Sequence, residues 1–480
     1  MKLTLSRQKI VEALSVVCKA ITKNSLPVLQ YVNLGFNENI LILRATNLDL
    51  TIIKTIRPEN LPELLEPNQS KLLPGSVVLA LLSKSAEDKV TFCWEKQDNG
   101  DAVRLQFGSH KSQIKNIPPV EDFPLVPEVK AESFSVSGLD LERLLSLALP
   151  FASTETPQSA FNGVSLKLSG NQISVISTDR HRLASIKLNL ERAGREPNEG
   201  LNACCVIPKG PLKTVLSIIG DDKVDVSLDD QFISFMGSDW RAFIRLIQDS
   251  YPDTEGIVPL NYQLKAECDR DSLMGALKLC SHVAAGESSV ELHFGERFSV
   301  DNQGIFGEAF QPFEGQIVEG ENLPEKSLDA IRINWQYLHD IARQIPSRYI
   351  ILETEGYAKP VKIYGKTQPA NWNETYILMP VRRDDIEQAS QEAQNSEEEQ
   401  AIVSEQGDQP GEPVDVNSTE IQETEPICGE CALFGTPQCE SEVEHEGSQT
   451  CEAFRPNFEA IPSEGQEAFQ EKEEMAEVPS

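Results

Sequence analysis

The chain has 480 residues, 40% of them hydrophobic and 25% charged, which is the composition of a globular protein too long for one ordinary core. No apolar run reaches the roughly 18–20 residues a membrane span needs. The opening MKLTLSRQKIVEAL lacks the apolar block of a secretory signal, so a cytoplasmic location is expected. A net charge of −32 argues against nucleic-acid binding by the chain as a whole, but the charge is uneven. The residues after Arg383 hold 27 acidic and two basic side chains, which leaves residues 1–383 at only −7.

In chain order, the first predicted unit is a short alternating strand from Lys2 followed by an amphipathic helix. Ile10, Val11, Leu14, Val17, Cys18 and Ile21 fall on one helical face. A second helix follows in PGSVVLALLSKS from Pro74, then the strand VTFCWE. About 130 residues later the layout returns. SFSVSGLDLERLLSLAL from Ser133 places Leu141, Leu144, Leu145 and Ala148 on one face, and PKGPLKTVLSIIG from Pro208 is its second helix. The segments ISVIS and FISFMG read as strands of this unit. A third copy starts with QLKAECDRDSLMGALKLCSHV from Gln263, burying Leu273, Leu277, Cys280 and Ala284. It continues through NWQYLHDIARQI from Asn334 and the strand YIILETEG.

Smaller matches support the repeat: Ala45-Thr46 with Ser177-Thr178, and Phe123-Pro124 with Tyr251-Pro252. The fold class is therefore α+β, three repeats of two helices and about eight antiparallel strands. Expected boundaries are 1–128, 129–259 and 260–383. Six cysteines scattered through these units read as reduced, buried thiols.

Past Arg383 the sequence is polar, acidic and poor in aromatics. Residues 384–426 are expected to form a disordered linker, 427–458 a small cysteine module and 459–480 a disordered tail. Cys428, Cys431, Cys439 and Cys451 stand as C-x2-C-x7-C-x11-C, a set suited to one structural zinc ion, with Leu433 and Phe434 as apolar cover.

Three strings carry a family resemblance: TDRHRLA at Thr178–Ala184, YPDTEGIVP at Tyr251–Pro259 and YILMPVRR at Tyr376–Arg383. With MKLTLSRQKIVEAL and NSLPVL at Asn24–Leu29, they make residues 1–383 resemble the bacterial sliding clamps, the beta subunits of DNA polymerase III. That resemblance implies a non-catalytic processivity factor. Two three-domain protomers would close head to tail into a ring around duplex DNA, the paired helices lining the hole. Loose, sequence-independent phosphate contact suits sliding. The DNA-facing cations would be Lys23, Arg7, Lys19, Lys209, Lys213, Lys278 and Arg343, with Lys23 at a position that touches DNA in the family.

The resemblance also implies a peptide pocket for the replicative polymerase, the clamp loader and repair proteins. Its wall would be Phe161, Thr178, His181, Arg182, Leu183, Pro252, Ile257, Ile377, Met379, Pro380, Val381 and Arg382. Two departures stand out: Arg180 replaces a small residue, and Val381 replaces a longer methionine. The Leu433-Phe434 pair resembles the end of a clamp-binding peptide, which gives the tail a second reading as a competitor for the pocket. Two other readings compete with the ring: a nucleic-acid-processing enzyme centred on Asp179 and His181, and a clamp-like scaffold whose main function lies in its tail.

Overall fold

The computed structural model describes residues 2–22, 26–37, 40–57, 70–97, 100–129, 133–154, 159–190, 202–284, 288–304, 307–320 and 330–381. Lys23, Arg382, the four tail cysteines and the Leu433-Phe434 pair, on which expectations were placed, lie outside the described residues. The described residues all fall in one compact unit, Met1–Ala393.

The first repeat comprises β1 (Lys2–Ser6), α1 (Arg7–Val17), β2 (Val32–Asn37), β3 (Ile40–Thr46), β4 (Leu50–Ile56), β5 (Ser70–Leu73), α2 (Gly75–Ser83), β6 (Lys89–Gln97), β7 (Gly100–Phe107) and β8 (His110–Ile117). The second follows the same order: β9 (Ser133–Ser137), α3 (Gly138–Ala148), β10 (Gly163–Ser169), β11 (Gln172–Thr178), β12 (Arg182–Asn189), β13 (Asn202–Pro208), α4 (Lys209–Leu216), β14 (Lys223–Leu228), β15 (Phe232–Met236) and β16 (Trp240–Arg245). The third is β17 (Leu264–Asp269), α5 (Arg270–Ala284), β18 (Ser289–Phe294), β19 (Phe298–Gly304), β20 (Gly307–Phe313), β21 (Gly315–Glu319), β22 (Ile331–Asn334), α6 (Trp335–Gln344), β23 (Tyr349–Thr354), β24 (Val361–Gly365) and β25 (Trp372–Leu378). Only β21 has no counterpart in the other two; it covers the outer edge of β17.

Hydrogen bonds repeat with the elements. The first N–H of each long helix bonds a carbonyl just beyond the second helix: Arg7 to Asp88 at 2.8 Å, Gly138 to Asp222 at 2.9 Å, and Arg270 to Arg348 at 2.9 Å. In the second repeat the two segments meet so closely that a Cβ on Gly138 would lie 1.9 Å from the Gly220 carbonyl oxygen. Glycine is required there by space, not by dihedral freedom. The helices bury the faces that their periodicity predicts. Leu141, Leu144, Leu145 and Ala148 are fully buried, as are Ile10, Leu14 and Val17, while Val11, Cys18 and Ile21 are only partly covered. Leu273, Leu277 and Cys280 are buried too. The six body cysteines are unpaired, and Cys204 is exposed, contrary to its expected burial. Burial pushes the thiols of Cys18 and Cys205 up to about 12, which keeps them protonated and inert.

The strands form four sheets, two of which run across repeats. One orders β5-β2-β3-β4-β16-β15-β14-β9, and another β13-β10-β11-β12-β25-β24-β23-β17-β21. The joints are antiparallel pairs, β4 with β16 and β12 with β25. The two remaining sheets, β1-β6-β7-β8 and β20-β19-β18-β22, each lie within one repeat. Thus β20 stands in the place of β4 and β12, and β8 in the place of β16 and β25. Among the described strands, these two joint-forming edges alone lack their cross-repeat partner.

Candidate peptide-binding site and helix faces

The second joint builds the site. β12 and β25 pair so that Leu183 lies opposite Ile377 and Arg182 opposite Leu378. Both Leu183 and Ile377 are buried. The ladder continues into the adjoining loop where the Met379 N–H donates to the His181 carbonyl at 2.9 Å. Met379 remains 37% exposed, an apolar side chain facing solvent.

The turn before β12 is fixed by side chains. Asp179 accepts from the N–H groups of His181 at 3.0 Å and Arg182 at 2.9 Å, and Thr178 Oγ1 accepts from the Arg180 N–H at 3.0 Å. Arg180 takes φ +76°, the left-handed region that glycine prefers. The first repeat contains the same turn. Asn47 accepts from Asp49 and Leu50, Thr46 accepts from Leu48, and Leu48 has φ +78°.

Arg182 ties this turn to the helices. Its Nε donates to Asp179 at 3.0 Å, and Nη1 to Asp340 on α6 at 3.2 Å. The guanidinium lies 4.3 Å from the Tyr337 ring centroid and 5.2 Å from that of Phe151. Tyr251 closes the opposite side: its hydroxyl accepts from the Thr178 N–H at 2.9 Å, and Phe161 meets its ring edge-on at 6.3 Å. Burial raises the Tyr251 phenol to about 12, so it stays protonated. Leu183, Tyr251 and Pro252 line one end of an open groove of about 1500 Å³ that runs across the outer face of the sheet.

The structure thus gathers Phe161, Thr178, Arg182, Leu183, Pro252, Ile377 and Met379, with His181 exposed beside Tyr337. Ile257 is 41% exposed on the Tyr251 loop, where the adjacent Val258 faces the groove. Pro380 and Val381 leave the ladder, and the Val381 N–H bonds Arg332 on β22. Sequence reading missed Tyr251, Tyr337 and Asp340 as parts of this site. Tyr251 carried a signal, since it recurs as Phe123 in the repeat; the two α6 residues are brought in only by the joint. The enzyme reading fails on geometry, because the Asp179 carboxylate is spent on backbone amides and Arg182 and not on the His181 ring.

The expected DNA-facing cations divide in two. Lys213, Lys278 and Arg343 are exposed on α4, α5 and α6. Lys23 lies outside the described residues, and Arg7, Lys19 and Lys209 each donate to backbone carbonyls. Arg7 donates to the carbonyls of Glu87 at 2.7 Å and Leu82 at 3.3 Å, closing the end of α2. Lys19 donates to the Ser217 carbonyl at 3.0 Å, fastening the first repeat to the C-terminal end of α4. Lys209 donates to the Ala152 carbonyl, and burial together with the nearby Arg182 lowers its pKa. Among the described residues no group of three or more His, Cys, Asp or Glu side chains could hold a metal, and no helix is long and apolar enough to cross a membrane.

Residues 1–127 match the family described as DNA polymerase III beta subunit, N-terminal domain, and residues 143–253 match the central domain of the same subunit. The chain belongs to the bacterial beta sliding-clamp family. Beta sliding clamps of Staphylococcus epidermidis and Staphylococcus aureus are each 24% identical to it, over 394 and 395 residues, covering 80% of this chain and 99% of theirs. Among solved structures, the Pseudomonas aeruginosa clamp bound to griselimycin superposes with a TM-score of 0.71 at 18% identity. It covers 80% of this chain and 99% of its own. The Bacillus subtilis clamp gives 0.70 at 20% identity with the same coverage. A sliding clamp is a non-catalytic subunit, in keeping with the Asp179 geometry.

Proposed function

We propose that two copies of this chain close head to tail around duplex DNA and tether a DNA polymerase and other clients through peptides held at the second joint. The observation that carries this reading is the pair of unmatched edges, β8 and β20. Each has the position of a strand that, in the two joints within the chain, pairs with the other type. Pairing β20 of one protomer with β8 of the next, twice, makes every joint alike and closes the assembly. Apolar side chains crowd these edges: Phe310 on β20 is 61% exposed, Leu279 on α5 57% and Val77 on α2 52%. A cavity of about 750 Å³ beside β8, lined by Val77, Leu81 and Phe107, offers Leu279 and Phe310 a place to bury.

With domains at 1–128, 129–259 and 260–383, six helix pairs would line the hole. Lys213, Lys278 and Arg343 are the cations we assign to DNA; Lys23 joins them from sequence alone. The pocket we assign is the cluster around Leu183, Ile377 and Met379, and clamp loader and repair proteins are its further expected users in the cytoplasm. The four tail cysteines are proposed to hold one zinc ion, which metal analysis of the full chain and of a chain ending at Arg383 tests directly. Sedimentation of Phe310→Glu tests the ring: the wild type is expected as a dimer and the variant as a folded monomer. A wild-type monomer at micromolar concentration would overturn the assembly.

A further inference from the structure

The pocket proposed above occupies only one end of its groove. The rest of the floor is a lattice of side chains in register. Two residues along the strands from Leu183 and Ile377 lies an uncharged row of three hydroxyls and one isoleucine, with Ser165 opposite Ile176, Ile176 opposite Ser185, and Ser185 opposite Thr375. Two residues further lies a cationic row. Lys167 stands opposite Ser174, Ser174 opposite Lys187, and Lys187 opposite Asn373. Every member of both rows lines the groove.

Lys167 and Lys187 are exposed and have no ion-pair partner among the described residues. They are two strands apart, about 10 Å, with the Ser174 hydroxyl between them. The loops that wall the groove carry Asp230, Asp249 and Asp253 instead.

We infer that this groove holds the client segment flanking the apolar anchor, and that it selects an acidic side chain four residues from that anchor. The inference rests on the pocket reading. An extended peptide rises about 3.3 Å per residue, as the strands beneath it do. An anchor over Leu183 and Ile377 therefore brings the residue four away, about 13 Å along, over the row of Lys187. Even offsets face the floor together, so the residue two away meets the row of Ser165, Ile176, Ser185 and Thr375, which offers no charge. The wall carboxylates oppose acidic residues at other positions, which confines the preference to this one.

Fluorescence anisotropy with the full chain tests this, using labelled 12-residue peptides with a Leu-Phe anchor. Two pairs are compared, Glu against Gln four residues before the anchor and Glu against Gln four residues after it. In one pair the Glu peptide is expected to bind about three- to fivefold tighter at low salt, a gap closing by about 0.5 M NaCl. Lys167→Gln/Lys187→Gln should erase the gap and leave the Gln peptides unaffected. Equal binding within both pairs, or a gap that survives the double substitution, overturns the inference and leaves the pocket standing. Failure of every anchored peptide to bind overturns the pocket reading and this one with it.

Discussion

Arg182 shows how one side chain serves two parts of the molecule. Its backbone belongs to the β12–β25 ladder beneath the pocket, and its guanidinium reaches α6 through Asp340 and Tyr337. The side chain is only 11% exposed, so its charge is stabilised by Asp179 and the aromatic faces and not by water. Arg182→Ala removes the cation and strands Asp179 beside a covered turn. It is expected to cost about 3 kcal/mol in denaturant unfolding and to weaken anchored-peptide binding at least several-fold. A change below about 0.5 kcal/mol would show that the turn holds without it. Thr178, Leu183, Ile377 and Met379 were legible in the sequence because the family strings contain them. The roles of Arg7, Lys19 and Lys209 were not. A basic residue on a helix reads the same whether it faces DNA or ties down a carbonyl, and only the packed chain distinguishes Lys213 from Lys19.

At the scale of elements, the repeat was readable from helical periodicity, and all six helices lie where the apolar faces placed them. The strands VTFCWE, ISVIS, FISFMG and YIILETEG are β6, β11, β15 and β23. β21 was not legible: GQIVE is short, mostly exposed, and becomes a strand only by lying along β17. Two predictions belong here. Gly138→Ala forces a methyl group against the Gly220 carbonyl, and a loss of about 2–3 kcal/mol is expected in chemical denaturation. An unchanged midpoint would mean that the α3–α4 contact yields freely.

The second concerns Asp269, which opens α5 by accepting from Ser272 at 3.0 Å and Asp271 at 3.1 Å, with Arg348 Nε at 3.1 Å. The backbone bonds first, then Arg348, lower its pKa below the ordinary carboxylate value. A lowered folded pKa gives stability that is present above the unfolded pKa and lost as pH falls through the folded one. The stability advantage of wild type over Asp269→Asn should therefore be larger at about pH 6 than at about pH 3. The same advantage at both values would contradict the assignment.

At the scale of the whole molecule, a body with a charge of −7 is a poor candidate for tight DNA binding, and encirclement does not require it. Two sheets run continuously across the repeats, and the edges β8 and β20 are where the proposed ring would close. In the proposed ring, retention would depend on linkage, and Lys213, Lys278 and Arg343 would supply weak, salt-sensitive attraction. The decisive measurement is retention on DNA of defined topology. The protein is loaded onto nicked circular DNA with a clamp loader and ATP, the complexes are isolated at moderate salt, and half are linearised before sizing. Protein is expected to stay with circles and to run off linear molecules. Equal retention on both forms would contradict it, because a ring that does not slide off a free end is not holding DNA by encirclement.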